Sequence, residues 1–443
     1  MMGVIDRISH LFDCIKDKGL VKFGRMHESD FTRNSPLNFE NSLLIHLNKH
    51  GLTLHSELRN YFKKINCLSV SKQVFSKSRN KLDLEIFKVL KDIHLAEFYG
   101  TNEVKRYKSY LIFSGDGSKH NLPYKKEFIE FFGGIENKFH EITTPAINLT
   151  TIHDCLNKFA IDFEFDKYKT SERELMEINM DNFRDLEYLK DENIIFLFDR
   201  GFPSIKFFAD MIENNENFIF RIKKNAYKKE KETMTSNDEI IAINITKQRM
   251  ITVKDKQLKE KLLQRDKIYL RVTKVILKNG EEEHLISNLD TEKFNANDLK
   301  ELYSLRWGIE TSYDTLKNLM YIENLSGYTE IAVKQDYFSQ ILAYNITTDV
   351  ENTAQKILEK NKQINPKNNP KKIKINKNLT IGIIKSDILE IAIIKDKKLQ
   401  KTTLKNLIYE TAKLYTQTST QKYERPPKKM YSAKNRSNNR RSF

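Results

Sequence analysis

Residues Asn295 to Met320 read NANDLKELYSLRWGIETSYDTLKNLM, and the fold turns on what this stretch is. Asn295 and Asp298 form an Asn-x-x-Asp pair, a helix N-cap with an acid at the third helical position. Neither proline nor a β-branched cluster interrupts the residues after the cap, so one continuous helix is predicted. At roughly 100° per residue, Tyr303, Arg306, Glu310 and Lys317 fall within an arc of roughly 60°. Leu302, Leu305, Ile309, Leu316, Leu319 and Met320 occupy the adjacent arc, which places the polar stripe along the edge of a buried face. Taken alone, such a stripe is an amphipathic helix with an Arg306–Glu310 ion pair, worth roughly a few tenths of a kcal/mol. A phenol, two cations and one carboxylate at the rim of a core also suit an anionic ligand beside a metal.

The spacing Tyr303, two residues, Arg306, three residues, Glu310, six residues, Lys317 resembles the signature of DDE transposases of bacterial insertion sequences. In particular it is similar to the insertion sequence four family, in which the Glu is the third catalytic carboxylate. Leu302-Tyr303 and Arg306-Trp307 before the Glu, and Asn324-Leu325-Ser326-Gly327 after it, agree with that resemblance. It implies two aspartates upstream, each at the end of a buried strand.

Two such settings exist. Tyr110-Leu111-Ile112-Phe113 runs into Ser114-Gly115-Asp116-Gly117-Ser118, an apolar strand delivering a carboxylate between glycines. By itself this is also a common Asp-Gly turn. Ile194 to Phe198 runs into Asp199-Arg200-Gly201-Phe202-Pro203-Ser204, a fully apolar strand ending in a carboxylate with a helix start behind it. The Asp-Arg-Gly-Phe word resembles the second catalytic motif of the same family. Strand-like runs at Glu141 to Leu149 and Phe159 to Phe165, and an acid-rich helix from Ser171 to Leu189, lie between them. Phe218 to Ile222 is a further strand. The pattern alone describes a mixed α/β sheet; the resemblance implies a ribonuclease H-like core.

About 110 positions separate Asp199 from Glu310, too many for a direct connection. Alternating stretches at Arg249 to Lys254 and Lys267 to Lys278, the latter meeting Asn279-Gly280 before His284 to Leu289, predict a β-rich insert. Family members that excise through a hairpin intermediate stack a flipped base on a tryptophan of this insert. Here the one tryptophan is Trp307, and Tyr227, Tyr269 and Phe294 are the aromatic candidates for that contact.

Residues 1–105 read as an all-helical N-terminal domain, with segments near Phe39 to His50, Leu54 to Lys64, Val70 to Lys81 and Leu84 to Phe98. The third carries Lys72, Gln73, Ser76, Lys77, Arg79 and Asn80, a composition that suits a DNA recognition helix and equally a solvated basic one. His46 and His50, with no ligand partner at metal spacing, read as packing or surface residues. The core is expected over 106–222 and, with the catalytic helix, over 295–350, the insert over 223–294, and a helical C-terminal region over 351–424, offered as a dimerisation element. It holds a Pro, Asn and Lys linker from Asn361 to Asn378 and two amphipathic helices from Leu379 to Thr418. Residues 425–443 hold seven Lys or Arg and no acid, a basic tail expected to be disordered.

A chain of 443 residues can bury a large core, and a formal net charge of +16 points to a polyanionic partner. Cys14, Cys67 and Cys155 lie too far apart for a disulfide framework or a structural zinc site. No membrane span, signal peptide or Gly-rich nucleotide loop is read, so a cytoplasmic, nucleoid-associated protein without a nucleotide cofactor is expected. The resemblance implies catalytic carboxylates at Asp116, Asp199 and Glu310, holding two Mg²⁺ or Mn²⁺ ions. Tyr303, Arg306, Lys317 and Arg200 are the expected DNA-phosphate contacts, with His120 a further neighbour. The expected activity is binding of terminal inverted repeats of double-stranded DNA by a homodimer, then cleavage and joining to target DNA. The alternatives are a structure-selective nuclease of the same fold and a catalytically silent DNA-binding protein.

Overall fold

The protein is described by a computed structural model covering residues 3–136, 143–251, 253–276, 280–361 and 373–417. Six helices precede the first strand: α1 (Val4–Lys16), α2 (Lys18–Phe23), α3 (Phe39–Leu47), α4 (Leu54–Lys64), α5 (Lys72–Arg79) and α6 (Glu85–Tyr99). Asp17, Asn38, Thr53 and Ser71 cap α2, α3, α4 and α5 by accepting hydrogen bonds from the first-turn N–H groups. Helix α1, outside the predicted segments, buries Val4, Ile8, Leu11, Phe12 and Ile15 as a stripe at helical spacing.

The central sheet begins with β1 (Leu111–Asn121), followed by α7 (Lys126–Phe132), β2 (Gly134–Glu136), β3 (Thr143–Asp154) and β4 (Ala160–Lys167). Helix α8 (Glu172–Arg184), closed at its start by a Ser171–Glu174 capping box, leads to β5 (Ile194–Phe198), α9 (Ile205–Glu213) and β6 (Asn217–Ile222). Strands β4, β3 and β1 pair antiparallel, and β1, β5 and β6 pair parallel. β5 is apolar throughout because both its faces are covered. Phe196 and Phe198 join the cluster that takes in Phe183 of α8 and Phe207 of α9, whereas Ile195 and Leu197 join the cluster on the opposite face.

Residues between β6 and Asn295 form α10 (Lys228–Lys231), β7 (Asp238–Asn244), α11 (Lys256–Gln264), β8 (Lys267–Ile276) and β9 (Glu282–Ser287). These strands extend the same sheet, in the order β2-β3-β1-β5-β6-β9-β8-β7, with β4 on β3. β8 and β9 make the hairpin expected there; residues 277–279, with Asn279, lie outside the described residues, and Gly280 has φ +81°. The expected strand at Arg249 to Lys254 is a correction: residues 247–251 form a turn, with Met250 N–H bonded to Thr246 O, and the strand is β7 instead. The tie is Arg249, whose guanidinium turns back onto Glu230, so a local ion pair overrode the alternating pattern.

Helices α12 (Ala296–Leu305) and α13 (Trp307–Asp314) form from the Asn295 to Met320 stretch, with a π-helical turn at Thr315–Leu319. The predicted uninterrupted α-helix is thus corrected. Around Arg306 the bonds are three-residue ones, Arg306 N–H to Tyr303 O and Ile309 N–H to Arg306 O, so the helix tightens there and widens later. Then come α14 (Glu330–Asn361), β10 (Ile373–Ile375), α15 (Lys377–Ile393), α16 (Lys397–Lys413) and β11 (Tyr415–Gln417). The β10–β11 pair was not anticipated. Residues 362–372, most of the expected linker, and the tail 425–443 lie outside the described residues.

Helices before β1 share one apolar cluster with α14, α15 and α16. Where they meet, Asp336 of α14 is fully buried and accepts from Arg79 Nη2 at 3.1 Å, Lys49 Nζ at 3.1 Å and Ser326 Oγ at 2.7 Å. Arg79 also donates to Gln335 Oε1 and the Ala332 carbonyl. This corrects the reading of Arg79 as a DNA-facing residue of α5: it is 2% exposed, while Lys72, Gln73, Ser76 and Lys77 face solvent. His46 is a packing residue, buried between Phe75 and Phe87 with Nδ1 on Ser42 O. Among the described residues no helix is long and apolar enough to cross a membrane.

Candidate active site

Strand parity brings the polar groups to one face. Ile112, Ile195, Leu197 and Ile219 point toward α12, and continuing each strand by twos reaches Asp116, Asp199 and Arg221 on that same side. Helices α12 and α13 lie across this face, Leu299 and Leu302 sealing it, and deliver Tyr303, Arg306 and Glu310 over the strand ends.

Asp199 follows β5 as expected, at the end of its ladder. Asp116 was expected at the tip of a strand, but β1 continues through it to Asn121, paired with β3 at Asp116–Thr151. The flanking glycines are there for room. A Cβ on Gly115 would stand 2.4 Å from Phe198 Cε1, and one on Gly117 would stand 2.7 Å from Glu172 Cδ.

Arg306 joins the first and third carboxylates. Its Nη2 donates to Glu310 Oε1 at 2.9 Å and its Nη1 lies 3.4 Å from Asp116 Oδ2. The guanidinium is 3% exposed, stacked beside Trp307 with Cζ 5.2 Å from the ring centroid, and its Nε–H has no partner among the described residues. The second carboxylate is reached from the same helix pair, Tyr303 Oη donating to Asp199 Oδ1 at 3.2 Å. Arg200, expected as a DNA-phosphate contact, is exposed; the cation facing the Asp199 carboxylate is Arg221, 3.9 Å away and also 3.0 Å from Glu283. Lys317, expected as a DNA-phosphate contact, is engaged with β1. Its Nζ donates to Ser118 Oγ at 2.9 Å and Lys119 O at 2.8 Å, tying the π-helical turn to β1. His120 is buried against Tyr337, its Nδ1 3.1 Å from the phenol oxygen.

Burial raises the Asp116 carboxyl to about 6; Arg306 and the Gly117 N–H pull it down, and the negative charges of Asp199 and Glu310 push it up. Three carboxylates therefore share the positive charge of too few cations. Oxygen-only donors of this kind fit a hard divalent cation such as Mg²⁺ or Mn²⁺. As placed, Arg306 occupies the space between two of them, and among the described residues no group of three or more His, Cys, Asp or Glu is gathered tightly enough to hold an ion.

Beside the carboxylates, between β8, β9 and α12, a cavity of about 200 Å³ ends on Tyr303 and on Trp307, which is 56% exposed. Of the aromatic candidates in the insert, Phe294 is 2% exposed and cannot offer a face, Tyr227 packs under Arg249, and Tyr269 is 68% exposed. Two residues of the site were missed in the sequence: Arg221, which strand parity alone would have found, and Tyr313, whose hydroxyl donates to the Asp116 carbonyl at 2.7 Å. Nothing in the sequence signals the Tyr313 contact.

Residues 133–346 match the family model described as the transposase DDE domain. The match takes in Asp199, Glu310, Tyr303, Arg306 and Lys317 and starts after Asp116. No curated protein matches the chain. Among solved structures, a piggyBac transposase synaptic complex with hairpin DNA is similar at 11% identity and a TM-score of 0.43, over 92% of this chain and 85% of that one.

Proposed function

We propose that the chain is a DNA transposase of the DDE type, similar to the insertion sequence four family, with Asp116, Asp199 and Glu310 as its catalytic carboxylates. The observation that carries this reading is the convergence on one helix pair: Arg306 spans Asp116 and Glu310 while Tyr303, one turn earlier, holds Asp199. The matched transposase DDE domain supports it. The order β4-β3-β1-β5-β6, antiparallel and then parallel, supports a ribonuclease H-like core carrying the insert on its β6 side.

Asp116, Asp199 and Glu310 would hold Mg²⁺ or Mn²⁺, two ions per site, which when bound activate the attacking oxygen and neutralise the leaving one. The residues of this chain do the rest. Arg306, released from the carboxylates, turns its two Nη groups to a scissile phosphate, and Tyr303 is placed to donate its hydroxyl to the same group. In cleavage a water oxygen bonds to phosphorus, the P–O3′ bond breaks, and the 3′-oxygen leaves as a hydroxyl. In joining, that 3′-hydroxyl attacks a target phosphodiester, one ester replaces another, and no nucleotide is consumed. The exposed Lys72, Gln73, Ser76 and Lys77 of α5 suit contact with the terminal inverted repeats, and two copies of the chain would pair the two element ends.

The test uses DNA carrying the sequence that flanks the gene, with Mg²⁺, and maps the product ends. Asp116→Ala, Asp199→Ala, Glu310→Ala and Glu310→Gln are each expected to abolish cleavage while retaining end binding. Full cleavage by any one of them would refute the assignment. Hydrolysis without joining of pre-cleaved ends would favour a nuclease instead.

A further inference from the structure

We infer that Tyr313 is a positioning residue of this site: its hydroxyl fastens the backbone of Asp116 to the helix bearing Glu310 and so sets the separation of the first and third carboxylates. The inference rests on the carboxylate reading above and deepens it.

The sheet opens at this point. The parallel ladder between β1 and β5 ends at the Gly115–Phe198 pair, so from Asp116 onward β1 has only β3 beside it. The Asp116 carbonyl faces β3, on the same side as the Ile112 carbonyl that accepts from Cys155 N–H, and a carbonyl oxygen has a second lone pair for a further donor. Tyr313 supplies that further donor, at 2.7 Å, from a side chain that is only 6% exposed. Tyr313 follows Glu310 by three residues, which puts it one turn further along the same side of the helix. Four residues on, Lys317 grips Ser118 and Lys119 of the same strand. Glu310's helix thus holds β1 at Asp116, Ser118 and Lys119. Asp199, by contrast, is reached from α12 and β6 only at its carboxylate, by Tyr303 and Arg221, while its carbonyl accepts locally from Phe202 N–H. The consequence is a fixed Asp116–Glu310 pair, with Asp199 the member free to adjust.

The competing account is a core tyrosine whose ring is all that matters. Tyr344 provides the comparison, since its buried hydroxyl donates to Lys158 O at 3.1 Å, a bond of the same type between other elements. The full-length chain, without DNA, is titrated with Mn²⁺ and free ion is read by electron paramagnetic resonance, for wild type, Tyr313→Phe and Tyr344→Phe. Melting temperatures are recorded alongside. Tyr313→Phe is expected to weaken Mn²⁺ binding about 10-fold, in the range of lost outer-sphere support, while Tyr344→Phe leaves it unchanged. In the cleavage assay, half-maximal Mg²⁺ should rise by a similar factor with the rate at saturating metal largely restored. Equal Mn²⁺ binding by wild type and Tyr313→Phe overturns the positioning role. Should Tyr313→Phe melt below the assay temperature, Lys317→Met, which cuts the second tie, must weaken Mn²⁺ binding or the clamp is wrong. A wild type that binds Mn²⁺ but cuts no DNA leaves the clamp standing and removes the transposase reading; one that binds no Mn²⁺ removes both.

Discussion

Replacing Arg306 with Met separates the two roles the structure places on that side chain. In the DNA-free protein the guanidinium neutralises Asp116 at 3.4 Å and Glu310 at 2.9 Å. A bare Coulomb pair at these distances is worth about 5 kcal/mol at an effective dielectric of 20 and about 1 kcal/mol in water. The Glu310 side chain is 43% exposed, so its share falls to about 0–1 kcal/mol. Asp116, with a side chain 20% exposed, keeps more, but Arg306 has given up hydration to be there. A net hold of about 1–2 kcal/mol on the carboxylates is a reasonable figure, which any incoming cation must replace. Arg306→Met is therefore expected to tighten Mn²⁺ binding in the absence of DNA by roughly 5- to 30-fold. Cleavage should nevertheless fall by about 100-fold or more, because the phosphate loses its charged donor. Calorimetry or resonance titration gives the first quantity and product mapping the second. Mn²⁺ binding that is unchanged or weaker in Arg306→Met would show that the guanidinium does not compete for the carboxylates, and the account of the site would fail.

Asp336→Asn leaves Arg79 and Lys49 as buried cations without a carboxylate, and should cost about 3–5 kcal/mol of stability by denaturant titration. A loss below about 1 kcal/mol would mean that this network does not tie the N-terminal helices to α14. Acid should also destabilise the protein: burial lowers the His46 imidazole to about 4 and the His153 imidazole to about 3, whereas in the unfolded chain both titrate near 6.5. A depressed histidine contributes stability that is complete above the unfolded value and is lost as pH falls from about 6.5 toward the folded one. The two together predict a loss of about 2–4 kcal/mol between about pH 7 and pH 5, checked by urea melts, and equal stability at the two pH values would contradict it.

The site was legible to the degree that its residues obey local periodicity. Tyr303, Arg306 and Glu310 share a face because a helix repeats about every 3.6 residues, and Asp199 closes an apolar run because a strand buried on both faces has no other composition. Asp116 was found through its apolar approach, but it was placed at the strand's tip when the strand runs on; only the Phe198 and Glu172 side chains beside Gly115 and Gly117 explain the glycines. Arg79 looked like a surface base because charge is usually solvated, and the carboxylate that draws it inside lies 257 residues away.

From the sequence alone came the mixed α/β class, the helix that carries Glu310, and the identity of three acids at the ends or edges of apolar runs, since each depends on neighbours within a few residues. Tertiary structure alone decided that the insert lengthens the central sheet, that Lys317 grips β1, and that the Tyr313 hydroxyl reaches the Asp116 carbonyl. Those are contacts between segments distant along the chain, set by which surfaces meet when the core packs, and no local pattern encodes them.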